Sequence, residues 1–357
     1  MGNLVEPLTT DPITAAAETP VVESSRDRAR QWAAFAQTYA RPDTVRGVRQ
    51  LLFTILPLIG LWSAMMATTD HAIWLTLILS VPTAAFVVRL FIIQHDCGHR
   101  SFFRSRWIND LLGTLIGLIT LTPHAYWRRA HNIHHATCGH LEKRGIGDVS
   151  VLTVAEFRAL PRWRRLAYWL YRHPLVLLGV GPVYLFVVKY RLPLDLIRRQ
   201  PRLLFSVIGT NLAIASAITG LGLGFGFLDL LLVHAPIVLL SSAAGVWLFY
   251  VQHQFEHTYW RKESSWDFHE SAVMASSYYA LPQPFRWLSA NIGIHHVHHL
   301  SSRIPSYRLA DCLSGIPALQ ALNRIGLRDS LTCLRLALWD ETAERLISFR
   351  CMRRMTA

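Results

Sequence analysis

Two separated copies of the pattern H-x-x-H-H constrain this chain more than any other feature. They are His131-Asn-Ile-His134-His135 and His295-His296-Val-His298-His299. A third cluster, His95-Asp-Cys-Gly-His99, precedes them, and His253 stands alone after a long apolar run. Neutral imidazole is the commonest metal ligand in proteins. Residues three and four apart on a helix are surface neighbours, so each cluster, when helical, aims two or three imidazoles at one spot. The fold must therefore bring distant segments together around metal.

Long apolar runs set the second constraint. The chain is 52% hydrophobic and only 17% charged, the balance of a polytopic membrane protein rather than a soluble enzyme. Residues 51–68, 72–94, 203–227 and 228–252 each approach the roughly 20 helical residues that cross a hydrocarbon core. Residues 111–121 are too short to cross, and 175–188 are interrupted by Gly179, Gly181 and Pro182. Both read as interfacial or buried segments. The fold class expected is thus an all-α membrane protein, with four transmembrane helices in two hairpins and a cytosolic helical cap that carries the histidines.

Net charge is +13, mostly arginine. The basic stretches are 26–49, 100–106, 128–129, 143–144, 158–172, 189–202 and the tail after Trp260. The turns at 69–71 and 227–228 carry no Lys or Arg. This asymmetry is the positive-inside pattern and reports topology rather than nucleic-acid binding. Four crossings then place every histidine cluster on the cytoplasmic side. A fifth crossing at 175–188 would put the first and third clusters on opposite faces. Helices that run from the membrane straight into His95 and His253 would seat these residues on stiff rods.

Residues 1–25 read as a disordered tail, 26–310 as the membrane domain, and 311–357 as a basic cytosolic helical region. Residues 142–172 read as amphipathic and membrane-surface. The five cysteines form no CxxC pair, and Cys97 faces away from His95 and His99, so packing is its expected role.

Nine imidazoles exceed the four ligands of a structural zinc site and suit two ions. Nitrogen donors admit iron, zinc, copper or nickel. H-E-x-x-H and the Glu-rich pattern of soluble di-iron bundles are absent. A histidine site at the membrane surface, facing lipid tails, points to oxidation of an acyl chain. A mid-chain methylene is neither acidic nor electrophilic, so only oxygen activated at a redox metal can attack it.

The segments HDCGHRSFF, HNIHHATCGHLEKRGIGDV, FYVQHQFEHTYW and NIGIHHVHHLSSRIPSYRL closely resemble the membrane fatty acid desaturases, above all the bacterial and cyanobacterial acyl-lipid type. The resemblance runs from the first hairpin to about residue 310. It implies two irons held by His95, His99, His131, His134, His135, His253, His295, His298 and His299, and O2-dependent insertion of a cis double bond. It also implies a lipid-linked acyl substrate, with glycerolipid favoured, and an integral membrane setting in a bacterial inner membrane with a cytoplasmic site. Where some relatives carry a water-bridging Asn, this chain has Phe249.

His296 falls outside the ligand spacing and is expected to support the ligands. His257 lies four residues after His253 and is the alternative there. His124, His140 and His269 read as surface or supporting residues, and His71, His173 and His234 as interfacial or buried polar groups. Asp96, Asp148 and Glu256 are candidates to hold ligand N–H groups, and Arg128-Arg129 either reports topology or holds a lipid phosphate. No nucleotide fold or haem motif is visible, so the electron donor is expected to be a separate acidic protein such as a ferredoxin. The rival readings are a di-iron hydroxylase or ketolase of lipids or carotenoids, and a non-catalytic metal carrier.

Overall fold

The computed structural model describes residues 24–192 and 200–355. Most of the expected N-terminal tail lies outside these residues. At its end, Ser24 already caps α1 (Ser25–Ala36), its side chain accepting from the Asp27 amide.

Four helices are long and apolar enough to cross a membrane: α2 (Thr44–Thr68), α3 (Ile73–Gly98), α6 (Leu203–Phe225) and α7 (Phe227–His253). α2 packs along α3 and α6 along α7, and α7 also packs on α3. Between α3 and α6 lie α4 (Arg106–Ile119) and α5 (His124–Thr137). The crossings differ from the apolar windows at their ends. α2 begins at Thr44 because Asp43 caps it, accepting from the Arg46 amide at 3.0 Å. The second pair turns at Gly226, whose φ of 96° suits glycine. At the other end, α3 and α7 extend past the apolar runs to carry His95 and His253, as rigid continuation requires.

α4 exposes Trp107, Leu111, Leu115 and Ile119 along one stripe, the form of a helix lying in an interface. The segment Arg162–Tyr171 continues into Val176–Arg191 through a 60° bend. Leu177 packs with Tyr250 and Val251, near the histidine-bearing end of α7. Tyr190 packs with Tyr126 in the first turn of α5 and with Leu203 at the start of α6, the end of that helix that lies beside His253 in the antiparallel pair. Both ends of the segment thus sit at one level, and it lies along the histidine-bearing ends of the bundle.

Arg89 in α3 is buried against Thr54 (3.0 Å), Gln50 and the Trp287 carbonyl. Its guanidinium also covers the Trp287 ring at 4.0 Å, which ties the first helix pair to the loop that leads into the third histidine cluster.

The expectation of a helical region at 311–357 needs correction. Ser306–Gly315, Leu327–Cys333 and Phe349–Arg354 are helical, but Leu336–Asp340 and Arg345–Ser348 form an antiparallel hairpin. Leu152–Thr153 adds a parallel third strand. Apolar runs of four or five residues read equally as helix or strand. Here the Asp340 carboxylate fixes the turn, accepting from the Thr342 and Ala343 amides at 3.0 and 3.2 Å. The remainder of the chain is predominantly helical.

Candidate metal centre

Four structural units deliver the nine imidazoles. His95 lies in the last turn of α3 and His99 ends it, its amide bonding to the His95 carbonyl at 3.2 Å. α5 carries His131, His134 and His135, and His253 is the last residue of α7. The short helix α8 (His295–Leu300) carries the third cluster. It is seated by the Ser277 carbonyl, which accepts from the His295 and His296 amides at 3.2 and 3.3 Å. Gly293 just before it approaches the Tyr279 carbonyl so closely that a Cβ would lie 2.4 Å from that oxygen.

The rings sort into two groups. His95, His99, His131, His135 and His298 bring their ligand atoms within 4.8 Å of one another. His134, His253 and His299 form the second group together with Cys138, and His295 joins it with its Nε2 3.0 Å from Nε2 of His253. The second and third clusters are each split between groups. On α5, His131 and His135 share a face while His134 points to the neighbouring group. On α8, His295 and His299 share a face while His298 points back to the first group. Spacing alone suggests one target per cluster, and the helical angle between positions i and i+3 divides them instead. His99 and His135 are partly exposed, whereas the second group is buried throughout.

The nitrogens face one another. Nε2 of His135 lies 3.1 Å from Nε2 of His131 and 3.0 Å from Nε2 of His298. Nε2 of His134 lies 3.2 Å from Nε2 of His253. The opposite ring edges are held in place. Nδ1 of His253 donates to the Ala275 carbonyl at 2.9 Å, and Nδ1 of His134 meets Asp148. Nδ1 of His95 lies 3.2 Å from Asp96, which also accepts from the Ser306 amide at 2.7 Å. The buried Nε2 atoms of His95, His99 and His299 have no hydrogen-bond partner. Burial first, and neighbouring imidazoles second, hold His99, His131, His135, His295, His298 and His299 well below the ordinary histidine range. Buried, converging ring nitrogens, six of whose imidazoles are held toward the neutral form, fit bound cations.

Residues outside these groups have other work. Nε2 of His296 donates to the Leu319 carbonyl at 2.7 Å. His257 is exposed, and Glu256 is exposed and pairs with Arg345 at 2.7 Å. Of Asp96, Asp148 and Glu256, the first two contact rings of the two groups, His95 and His134. Arg128 is tied to Asp110. His124 is buried with both ring nitrogens unpartnered. His140 gathers with Glu142 and Glu263 in a third group, but Lys143 already neutralises Glu263 at 2.6 Å. Cys97 packs in the core with Leu90 and Phe102.

Three further side chains touch these rings; Trp127 and Cys138 escaped the sequence reading, whereas Phe249 stands at the position of the relatives' Asn. Trp127 stacks on His131, with centroids 4.6 Å apart and planes 15° from parallel. Cys138, four residues after His134, places Sγ 3.6 Å from Nδ1 of His253. Phe249 packs against the rings of His134 and His253 at 5.2 and 5.0 Å. Helical spacing to His131, His134 and His253 is the signal that marks all three.

An apolar cavity of about 1700 Å³ opens beside the groups. His95, His131 and His295 line one end, and Trp62 and His234 line the other. Its walls come from α3, α6, α7 and the segment 176–190.

Four helices able to cross a membrane, with two groups of imidazoles that could hold metal at the head of a long apolar cavity, fit a protein that works on lipid tails. A fatty acid desaturase sequence profile matches residues 72–321. A Bacillus subtilis (strain 168) protein named fatty acid desaturase is 42% identical over 336 residues, covering 94% of both chains. An sn-1 oleoyl-lipid 12-desaturase from Synechocystis is 28% identical, covering 64% of each chain. A Nostoc sn-1 acyl-lipid omega-3 desaturase (ferredoxin) is 28% identical, covering 64% of this chain and 63% of its own. The chain belongs to the fatty acid desaturase family. It is an oxidoreductase of fatty acyl chains, and neither the hydroxylase reading nor the carrier reading is favoured by these relatives.

Proposed function

We propose that this protein inserts a cis double bond into the acyl chain of a membrane glycerolipid, using O2 and two iron ions. His95, His99, His131, His135 and His298 hold one ion; His134, His253, His295 and His299 hold the other. The observation that carries this reading is the convergence of buried ring nitrogens from four structural units at the head of an apolar cavity.

The two irons, once loaded, supply the oxidising power that an unactivated methylene requires. The chain's own residues do the rest. Asp148, Asp96 and the Ala275 carbonyl orient the ligand rings. Trp127, Phe91 and Phe249 line the cavity next to the rings, exclude water and hold the methylenes against them. Cavity access to both groups, through His95 and His131 of one and His295 of the other, lets a single chain lie across both.

The membrane is the bacterial inner membrane and the centre faces the cytoplasm, as the basic stretches support. Electrons come from a separate acidic donor of the ferredoxin kind. Its docking on a basic face predicts turnover that slows as salt rises.

The test is expression in a host that makes no unsaturated lipid, with lipid mass analysis and iron determination on the purified protein. Loss of two hydrogens per acyl chain and two irons per polypeptide are expected, with product abolished by His134→Ala while the protein stays in the membrane. Gain of oxygen, or purified protein without iron, would overturn the reading.

A further inference from the structure

The cavity is longer than the chain it serves. α7 lines it from Gln252, beside the imidazoles, down to His234 and beyond. His234 stands nineteen residues before His253 on one continuous helix, which at 1.5 Å per residue is about 28 Å. An acyl chain in one leaflet occupies half of a hydrocarbon core about 30 Å thick, or about 15 Å. Only the carbons beyond the reacting methylenes descend the cavity, so the methyl end stops well short of its far wall. That wall is firm: Trp62 Nε1 donates to His234 Nε2 at 3.3 Å, and His234 Nδ1 donates to the Leu230 carbonyl at 2.8 Å. It lies out of reach.

At the depth the methyl end does reach, the wall is open. Gly245 lines the cavity eight residues before His253, about 12 Å along the helix. A Cβ added there meets nothing within 4 Å. The lining's cation lies toward the opposite end. Lys189 is the one Lys or Arg among the described lining residues. It adjoins Tyr190, whose ring lies 6.0 Å from Tyr126 on the histidine-bearing helix α5.

We infer that this enzyme sets the position of the double bond from the carboxyl end of the acyl chain, at the Lys189 side of the cavity, and accepts saturated chains of differing length at that fixed position. The inference rests on the acyl-lipid reading above. With no stop for the methyl group, added carbons extend into free cavity and leave the methylenes at the metal centre unchanged.

The experiment feeds myristate, palmitate, stearate and arachidate separately to cells that carry the full-length protein. Bonds are then located by mass spectrometry of dimethyl disulfide adducts. Wild type is expected to give one carboxyl-counted position for every chain. Trp62→Phe and Trp62→Ala should leave that position unmoved. Gly245→Phe builds a floor within reach, so conversion of arachidate should fall about tenfold relative to myristate with the position kept. Bonds at a constant distance from the methyl end would overturn the inference. So would a shift of the bond in the Trp62 variants, or an unchanged length profile in Gly245→Phe. Absence of any unsaturated product would instead defeat the proposed function on which the inference stands.

Discussion

Asp148 grips Nδ1 of His134 and so turns Nε2 of that ring to within 3.2 Å of Nε2 of His253. The carboxylate fixes both the tautomer and the direction of the ring. Asp148→Asn keeps the shape but loses the charge that makes the imidazole a better donor. Iron retention against a chelator, and activity with it, should fall about 10–100-fold. Iron assay after graded chelation checks this, and retention equal to wild type would count against the role.

Gly98 faces Trp127 so closely that a Cβ would lie 2.8 Å from the indole ring. Trp127 in turn lies flat on His131. Gly98→Ala should push the indole and shift His131, costing about 1–3 kcal/mol in stability together with lowered iron content. Thermal unfolding and metal analysis on the same preparation would show both losses. A stability loss with full iron content would separate the indole from the metal site.

Six imidazoles outside the spanning helices are held neutral, below the ordinary histidine range. The unfolded chain takes up protons near pH 6.5 while the folded chain does not. The unfolded state then binds more protons, so stability rises with pH through that region and is lost as pH falls below it. Iron-free protein should melt at progressively lower temperature from about pH 7 down to about pH 5, more steeply than a single histidine allows. A melting temperature that is flat across this window would contradict the burial of these rings.

His296 sits between ligands yet bonds to Leu319 and stacks on Tyr278 at 5.9 Å. His296→Ala should cost about 1–3 kcal/mol by leaving the Leu319 carbonyl unpaired, with iron per folded chain unchanged. His295→Ala, one residue away, should lose iron. Equal iron loss in both variants would erase the distinction.

The membrane helices were legible because hydropathy and length act locally, and the histidines that converge because i, i+3 and i+4 spacing leaves a mark on the sequence. The division of α5 and α8 between two groups was not legible. It depends on how each helix is rotated against its neighbours, a property of packing. Asp96 and Asp148 were recognisable as carboxylates near the clusters, but Glu256 looked equally suitable and turns away to Arg345. The Ala275 carbonyl that holds His253 has no side-chain signature at all. The hairpin at 336–348 was missed because short apolar strands carry too little periodicity to be told from helix.

α5 and α8 each lend rings to both groups. In the proposed two-iron centre the separation of the ions is therefore written into the pitch of two short rigid rods. Neither ion can drift without dragging a helix that also grips the other. Loading and loss at the two positions are mechanically joined, and the gap that a reacting pair of methylenes must match is kept constant while the surrounding lipid moves.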